Sequence, residues 1–284
     1  MHEMGATDGD RAIDWGRTSG DYARYRRGYP ESFFRRLSAL EVGVPGQRVL
    51  DLGTGTGLLA RELARRGCSV VGVDIAPGQI EAARALAAEQ GVDVEFLVTA
   101  AEETRFPDRS FDLVTASQCW LYFDKERVVP EVLRLLAPGG RLLTCHQCWL
   151  PRRDVVACTT EELVLKFNPD WSAADYAGDV PPMPDWALRR FELVAMFWYD
   201  ERLPYSRESW RGRIRACRGV GATLPPEAVA AFDAQLASLL EVITEGEEFD
   251  VLHRIDAHLL RPPDPPEDPP RGGAESPAAA PPSS

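Results

Sequence analysis

The chain has 284 residues, 44% of them hydrophobic, which suits one α/β domain with an insertion and excludes a disordered or fibrous chain. A net charge of −12 argues against long phosphate-backbone ligands, which need a basic footprint, although Arg24, Arg26 and Arg27 form a local basic patch. No apolar run approaches the roughly 20 residues that span a bilayer, and residues 1–10 lack the apolar segment of a secretory signal, so a cytoplasmic chain without membrane or nucleic-acid partners is expected.

Residues 1–20 show no clear periodicity and are expected to be flexible, ahead of a domain over residues 21–261. Residues 22–30 read Y-A-R-Y-R-R-G-Y-P, and a helix over residues 31–40 follows, with Phe33, Phe34, Leu37 and Leu40 as its buried face. Next comes the stretch Val49-Leu50-Asp51-Leu52-Gly53-Thr54-Gly55-Thr56-Gly57, with a helical segment directly after it. That is a strand, a tight glycine turn and a helix N-terminus, which brings bare backbone against a ligand. A dinucleotide loop, G-x-G-x-x-G, would want its third glycine where Leu58 stands. Asp51 would repel a pyrophosphate but suits a ligand carrying cationic groups.

Residues 69–74, S-V-V-G-V-D, read as a second strand ending in an acid. At the C-terminal end of a second parallel strand, Asp74 can accept hydrogen bonds from a ribose diol, and Ile75 can pack on an adenine face. Nicotinamide dinucleotides would suit this acid equally. A helix opens at Pro77 and stops at Gly91, a third strand covers residues 94–98, and T-A-A-E-E follows. The fourth strand lies in F-P-D-R-S-F-D-L-V and the fifth follows the turn P-G-G at residues 138–140. Residues 150–190, with Trp171, Tyr176, Trp186 and a later part made irregular by Pro181, Pro182 and Pro184, are read as a cap inserted after a core of residues 48–148. Residues 191–199 form a sixth strand without clean alternation, which points to burial on both faces. Helices over residues 206–218 and 226–245 and an antiparallel last strand over residues 249–258 complete the domain. Residues 262–284 are proline-rich and expected to be a disordered tail. Cys145 and Cys148 bracket His146, but residues three apart on a strand face opposite sides and no second ligand pair accompanies them, so no metal is expected. Nearly all the cations are arginine, with lysine only at Lys125 and Lys166, a bias that with abundant alanine and proline fits a GC-rich bacterial gene.

Five stretches in this order, the glycine loop, the acid at Asp74, residues 99–103, the F-D-x-V of the fourth strand and the L-x-P-G-G-x-L turn, resemble the motifs of class I S-adenosylmethionine (SAM) methyltransferases. The resemblance covers residues 22–148 and is strongest to the small-molecule, "type 11"-like members of trans-aconitate and secondary-metabolite type. It implies a Rossmann-like, doubly wound seven-stranded sheet of order 3-2-1-4-5-7-6 with the last strand antiparallel, SAM as cofactor and S-adenosylhomocysteine as product. Asp51, Gly53, Thr54, Gly55, Gly57, Asp74, Ile75 and Gln79 are the implied cofactor contacts, with Ala101 and Glu102 at the adenine edge and Ser117 and Gln118 after the fourth strand. Residues 22–30 resemble the segment that folds over the cofactor, with Arg27 where proline is common, implying Tyr22 and Arg26 at the methionine carboxylate. Trp120 and Tyr122, with Trp171 from the cap, are the implied acceptor wall, which could also stabilise a sulfonium through cation–π contact.

Methyl transfer is an in-line displacement that needs alignment more than acid or base. No N/D-P-P-Y/F motif of the DNA-amino type follows the fourth strand. His146, near the end of the fifth strand, is the candidate base, His253 and His258 read as structural, and Arg152 and Arg153 could recognise an acceptor carboxylate by forked hydrogen bonds. The expected activity is methylation of a small organic molecule, on oxygen or carbon rather than nitrogen, by a monomer or homodimer. The alternatives are an NAD(P)-dependent oxidoreductase, which gives no reason for Asp51, and a SAM-binding protein that does not methylate.

Overall fold

The computed structural model describes residues 7–8 and 11–263; the proline-rich segment from residue 264 lies outside the described residues. Short apolar runs make the seven strands of the main sheet: β1 (Arg48–Leu52), β2 (Ser69–Asp74), β3 (Glu95–Val98), β4 (Phe111–Ser117), β5 (Leu136–Trp149), β6 (Glu192–Ser206) and β7 (Glu248–Arg261). They pair in the order β3-β2-β1-β4-β5-β7-β6, with β1 to β5 parallel and β7 antiparallel to both its neighbours, which is the expected topology. Residues Ala137 to Gly140 loop out where the β4–β5 register skips from Phe111/Leu136 to Leu113/Arg141. Gly140 is required there, since a Cβ would lie 2.8 Å from the Ala137 carbonyl.

Among the described residues, eight α-helices surround the sheet: α1 (Ser19–Tyr25), α2 (Glu31–Ala39), α3 (Leu58–Arg65), α4 (Pro77–Glu89), α5 (Lys125–Leu135), α6 (Val155–Phe167), α7 (Arg207–Arg215) and α8 (Pro226–Ile243). One sheet face packs on α2, α3 and α4 through Phe33, Leu37, Leu59, Leu63 and Ile80. The other packs on α5 through Val128, Val129, Val132 and Leu135, joined by Trp120, Ala187 and Phe191. Parallel strands covered on both faces are apolar almost throughout, which is why Val49, Leu50 and Leu52 are all fully buried.

A third core lies beyond the C-terminal ends of the parallel strands. Trp149 of β5 meets Trp171 and Trp210, and α6, α7 and α8 add Leu163, Ile214, Phe232 and Leu236. This helical lobe therefore draws on the segment after β5 and on the segment between β6 and β7. The second half of the 150–190 segment returns along the α5 face, where Met183, Trp186 and Phe191 pack and His258 Nε2 meets the Pro181 carbonyl at 2.7 Å.

One feature differs from expectation. Strand β6 is the sheet edge, paired only with β7, so Leu193, Val194 and Trp198 are exposed rather than buried on both faces. Its missing alternation reflects an edge position, where Arg254 covers the Trp198 ring at 4.2 Å. Of the N-terminal stretch expected to be flexible, residues 1–6 and 9–10 lie outside the described residues; further on, Asp14 N–H donates to the Ala222 carbonyl at 2.9 Å and Arg17 to the Leu224 carbonyl at 2.9 Å. Helix α1 docks on α7 at Gly212, where a Cβ would fall 2.1 Å from the Tyr25 ring, and Arg215 reinforces the joint by pairing with Asp21 at 2.8 Å.

Candidate active site

The loop after β1 is built from left-handed turns, Gly53, Gly55 and Gly57 all having positive φ, which L-residues with a Cβ resist. Their surroundings separate their roles. A Cβ on Gly57 would lie 2.6 Å from Phe96 and one on Gly53 2.8 Å from Cys119 Sγ, so these two glycines let neighbouring elements close up. A Cβ on Gly55 would meet only Tyr22 at 3.8 Å and Gln79 Oε1 at 4.0 Å, leaving bare backbone facing a gap covered by α1.

Asp51 sits beneath the loop, 1% exposed, with Thr115 Oγ1 donating to Oδ1 and Thr54 Oγ1 to Oδ2, both at 2.6 Å. Burial pushes its carboxyl from the ordinary 3.8 up to about 6, although both hydroxyl bonds pull the other way. At the end of β2, Asp74 accepts from Gly55 N–H and Ala76 N–H at 2.9 Å each, and burial raises its pKa as well. The Ile75 N–H bonds the carboxylate as well, which leaves about one of its roughly four acceptor positions open. Ile75 beside it is 72% exposed, Gln79 and Ala101 are buried, and Glu102 accepts from Asp124 N–H at 3.1 Å.

A pocket joins the loop to β4, β5 and the N-terminal segment, lined by Tyr22, Arg26, Arg27, Gly28, Tyr29, Asp51, Gly53, Thr54, Leu58, Leu59, Ser117, Gln118 and Gln147. Seven of these, Tyr22, Arg26, Asp51, Gly53, Thr54, Ser117 and Gln118, are residues singled out in the sequence. Arg26 lies over the Tyr22 ring at 5.6 Å, and Tyr29 OH meets Ser117 Oγ at 3.0 Å. Gln118 is held at φ +65° by its N–H to the Cys145 carbonyl (3.0 Å) and its Nε2 to the Gln147 carbonyl (2.8 Å). Such a strained non-glycine residue is typical of a functional loop. Sequence reasoning missed Gln147. Its signal was a polar side chain in register with Cys145 and Trp149, on the inward face of a buried strand.

The acceptor-side residues scatter. Tyr122 stands near the pocket with its OH accepting from Arg218 Nη1 at 3.3 Å, and burial pushes its pKa up to about 12. Trp120 is in the α5-side core, tilted at 42° against Trp186 with centroids 4.5 Å apart, and Trp171 is in the lobe core, with no room for a Cβ at Gly219 beside its ring. Neither lines the pocket. His146 does not join it either. Strand alternation turns it to the face opposite Gln147, where Nδ1 meets Asp256 Oδ1 at 3.1 Å. Arg152 and Arg153 are engaged by Asp175 and Asp200 on the surface.

The strand order and the loop over β1 define a Rossmann-like nucleoside-binding fold. A methyltransferase-domain family model matches residues 49–140. The chain is 41% identical over 133 residues to an uncharacterized methyltransferase of Mycobacterium tuberculosis H37Rv, Rv3342, a match covering 47% of this chain and spanning about half, 51%, of that relative. It is 44% identical over 224 residues to the demethylmenaquinone methyltransferase of a Thermus thermophilus strain, covering 78% of this chain and 82% of the relative. Among solved structures, a candidate type II methyltransferase from Anaeromyxobacter dehalogenans superposes with a TM-score of 0.53 at 21% identity, over 83% of this chain and 97% of that one, which supports the fold. The chain belongs to the class I SAM-dependent methyltransferases.

Proposed function

We propose that the chain transfers the methyl group of SAM to a small organic acceptor, with oxygen or carbon favoured over nitrogen as the receiving atom. The observation that carries this reading is the convergence of Asp51, the glycine loop, Tyr22 and Arg26 on one pocket that reaches Ser117 of β4 and Gln147 of β5. The residues fit the cofactor: Gly55 leaves open space where a Cβ would stand, Ile75 offers an uncovered apolar side chain, and Asp74 keeps acceptor capacity beside them. Asp74 would hold the ribose, Ile75 with Ala101, Glu102 and Gln79 the adenine, and Tyr22 and Arg26 the methionine carboxylate. When bound, SAM supplies an electrophilic methyl on a sulfonium. The chain's own work is to align the acceptor at ~3–3.5 Å and to exclude water.

Tyr29 and Tyr122 are pushed up in pKa by burial, so neither is a ready base at neutral pH. The pocket therefore favours acceptors that carry their own nucleophile, such as a carboxylate or an enolised carbon. Relatives whose names point to demethylmenaquinone, a ubiquinone precursor, tocopherol and aklanonic acid support a small acceptor. We read α6 to α8 and residues 168–190 as the cap over that acceptor, and the chain as a cytoplasmic monomer or homodimer without a nucleic-acid partner. Parallel calorimetric titrations with SAM, S-adenosylhomocysteine and NADPH test the reading. Binding of the two adenosyl ligands with NADPH silent is expected; NADPH binding in their place sinks it. Turnover of an acceptor then separates an enzyme from a SAM-binding protein that does not methylate.

A further inference from the structure

Four arginines lie on α7, and three of them reach polar partners of their own. Arg211 pairs with Asp233, Arg215 with Asp233 and Asp21, and Arg207 reaches Thr244 at 3.0 Å and Glu247 at 4.0 Å. Arg213 is different. It turns inward, is 6% exposed, lies over the Trp149 ring at 5.0 Å, and donates from Nη1 to Cys217 Sγ at 3.1 Å. Among the described residues no carboxylate pairs with it. The groups packed nearby, Trp149, Trp210, Tyr205 and His253, offer no counter-charge. His253 is kept neutral by burial, with its Nδ1 on the Val251 carbonyl at 2.9 Å and its Nε2 3.4 Å from Tyr205 OH. A buried guanidinium is costly without an anion, and on a helix where Asp233 pairs with two other arginines this one has no carboxylate among the described residues.

A second observation points to the same place. Gln147 stands two residues before Trp149 on the same face of β5, lines the pocket, and is 6% exposed, yet its side chain makes no hydrogen bond among the described residues, which leaves its Nε2 free to donate to a bound anion. Arg26 enters from the other side, also without a carboxylate partner among the described residues, and both Arg26 and Arg213 act electrostatically on Cys148, Tyr205 and His253. Two inward cations exceed what one methionine carboxylate can neutralise.

Building on the proposed function, we propose that the methyl acceptor carries a carboxylate, held by Arg213 with the Gln147 amide, while Arg26 serves the cofactor. Arg213 is a specificity residue, and it takes the role that Arg152 and Arg153 leave open because surface carboxylates engage them. An acceptor carboxylate satisfies the guanidinium by a forked pair of hydrogen bonds, and a neutral isostere leaves it unpaired.

The test uses the full chain saturated with S-adenosylhomocysteine, probed by thermal shift with benzoate and acetate against the neutral isosteres benzamide and acetamide. Benzoate is expected to raise the melting temperature and benzamide to leave it unchanged. Arg213→Gln should remove the benzoate shift while S-adenosylhomocysteine affinity stays within about twofold, and Arg213→Lys should retain part of it. Equal shifts from benzoate and benzamide, no shift from either carboxylate, or a benzoate shift surviving in Arg213→Gln would overturn the proposal. If Arg213→Gln does not fold, Gln147→Leu should weaken benzoate at least fivefold, and unchanged affinity there counts equally against it. Failure of the wild-type chain to bind S-adenosylhomocysteine would instead sink the methyltransferase reading beneath it.

Discussion

Asp51 couples the site to stability at the scale of a single residue. Its folded pKa of about 6 lies above the ordinary 3.8, so the folded state holds the proton longer than the unfolded chain does. Its contribution to stability is fully present below pH 3.8 and is lost as pH rises through about 6. At ~1.4 kcal/mol per pH unit, ionised Asp51 costs the ligand-free chain about 3 kcal/mol at neutral pH. Asp51→Asn should therefore raise the melting temperature of the ligand-free chain at pH 7.5, with the gain vanishing near pH 4, and should weaken SAM binding. A melting temperature lowered at pH 7.5 would refute this account. In the wild type, SAM affinity should fall as pH drops below about 6, where Asp51 loses the charge that attracts the cofactor's cations.

The glycines of one loop make a paired prediction. Gly55→Ala has room for its methyl group and should fold at a cost of about 1–2 kcal/mol for the left-handed backbone, yet lose S-adenosylhomocysteine binding, because the methyl occupies the gap below Tyr22. Gly57→Ala drives a methyl group into Phe96 and should cost stability whether or not ligand is present. Equal affinity for wild type and Gly55→Ala by calorimetry would refute the loop's role. His146, bonded to Asp256 on the far face of β5, should be dispensable for binding: His146→Ala is expected to keep S-adenosylhomocysteine affinity and single-turnover rate within about threefold. A hundredfold slower turnover would return the histidine to the reaction.

At the scale of elements, the cofactor half was legible and the acceptor half was not, for a physical reason. The strand, glycine turn, helix and acid of the proposed cofactor site are consecutive, so spacing alone places Gly55 beside Asp74, and the structure has the Gly55 N–H on the Asp74 carboxylate. The proposed acceptor contacts, Gln147 at the pocket wall and Arg213 behind Trp149, come from two separated segments, and no local pattern marks them. The family resemblance implied Trp120 as a wall residue, with Trp171 from the cap, but large aromatic side chains serve cores as readily as pockets, and these two fill cores. Strand β6 was misjudged for a related reason: an apolar run looks the same at a sheet's centre and at an edge partly covered by Arg254.

At the scale of the whole molecule, two cores flank the sheet and a third fills the lobe beyond its C-terminal edge. The lobe is made by two chain segments that return to the sheet, so its position is fixed by β5, β6 and β7 together, while α1 reaches it from the N-terminus. The arrangement brings the ends of four distant stretches to one pocket wall, which is how a sheet shared by many enzymes acquires its own selectivity.

The joint at Gly212 has a temporal consequence. Because α1 is joined to α7 through Tyr25 and the Arg215–Asp21 pair, and carries Tyr22 across Gly55, a cofactor held as proposed should leave only when that joint loosens. Turnover should then be paced by departure, with the methylated acceptor leaving first. Gly212→Ala, which forces a methyl group against the Tyr25 ring, should speed the dissociation of S-adenosylhomocysteine severalfold in stopped-flow displacement while the sheet stays folded. An unchanged off-rate would mean that the clock lies elsewhere.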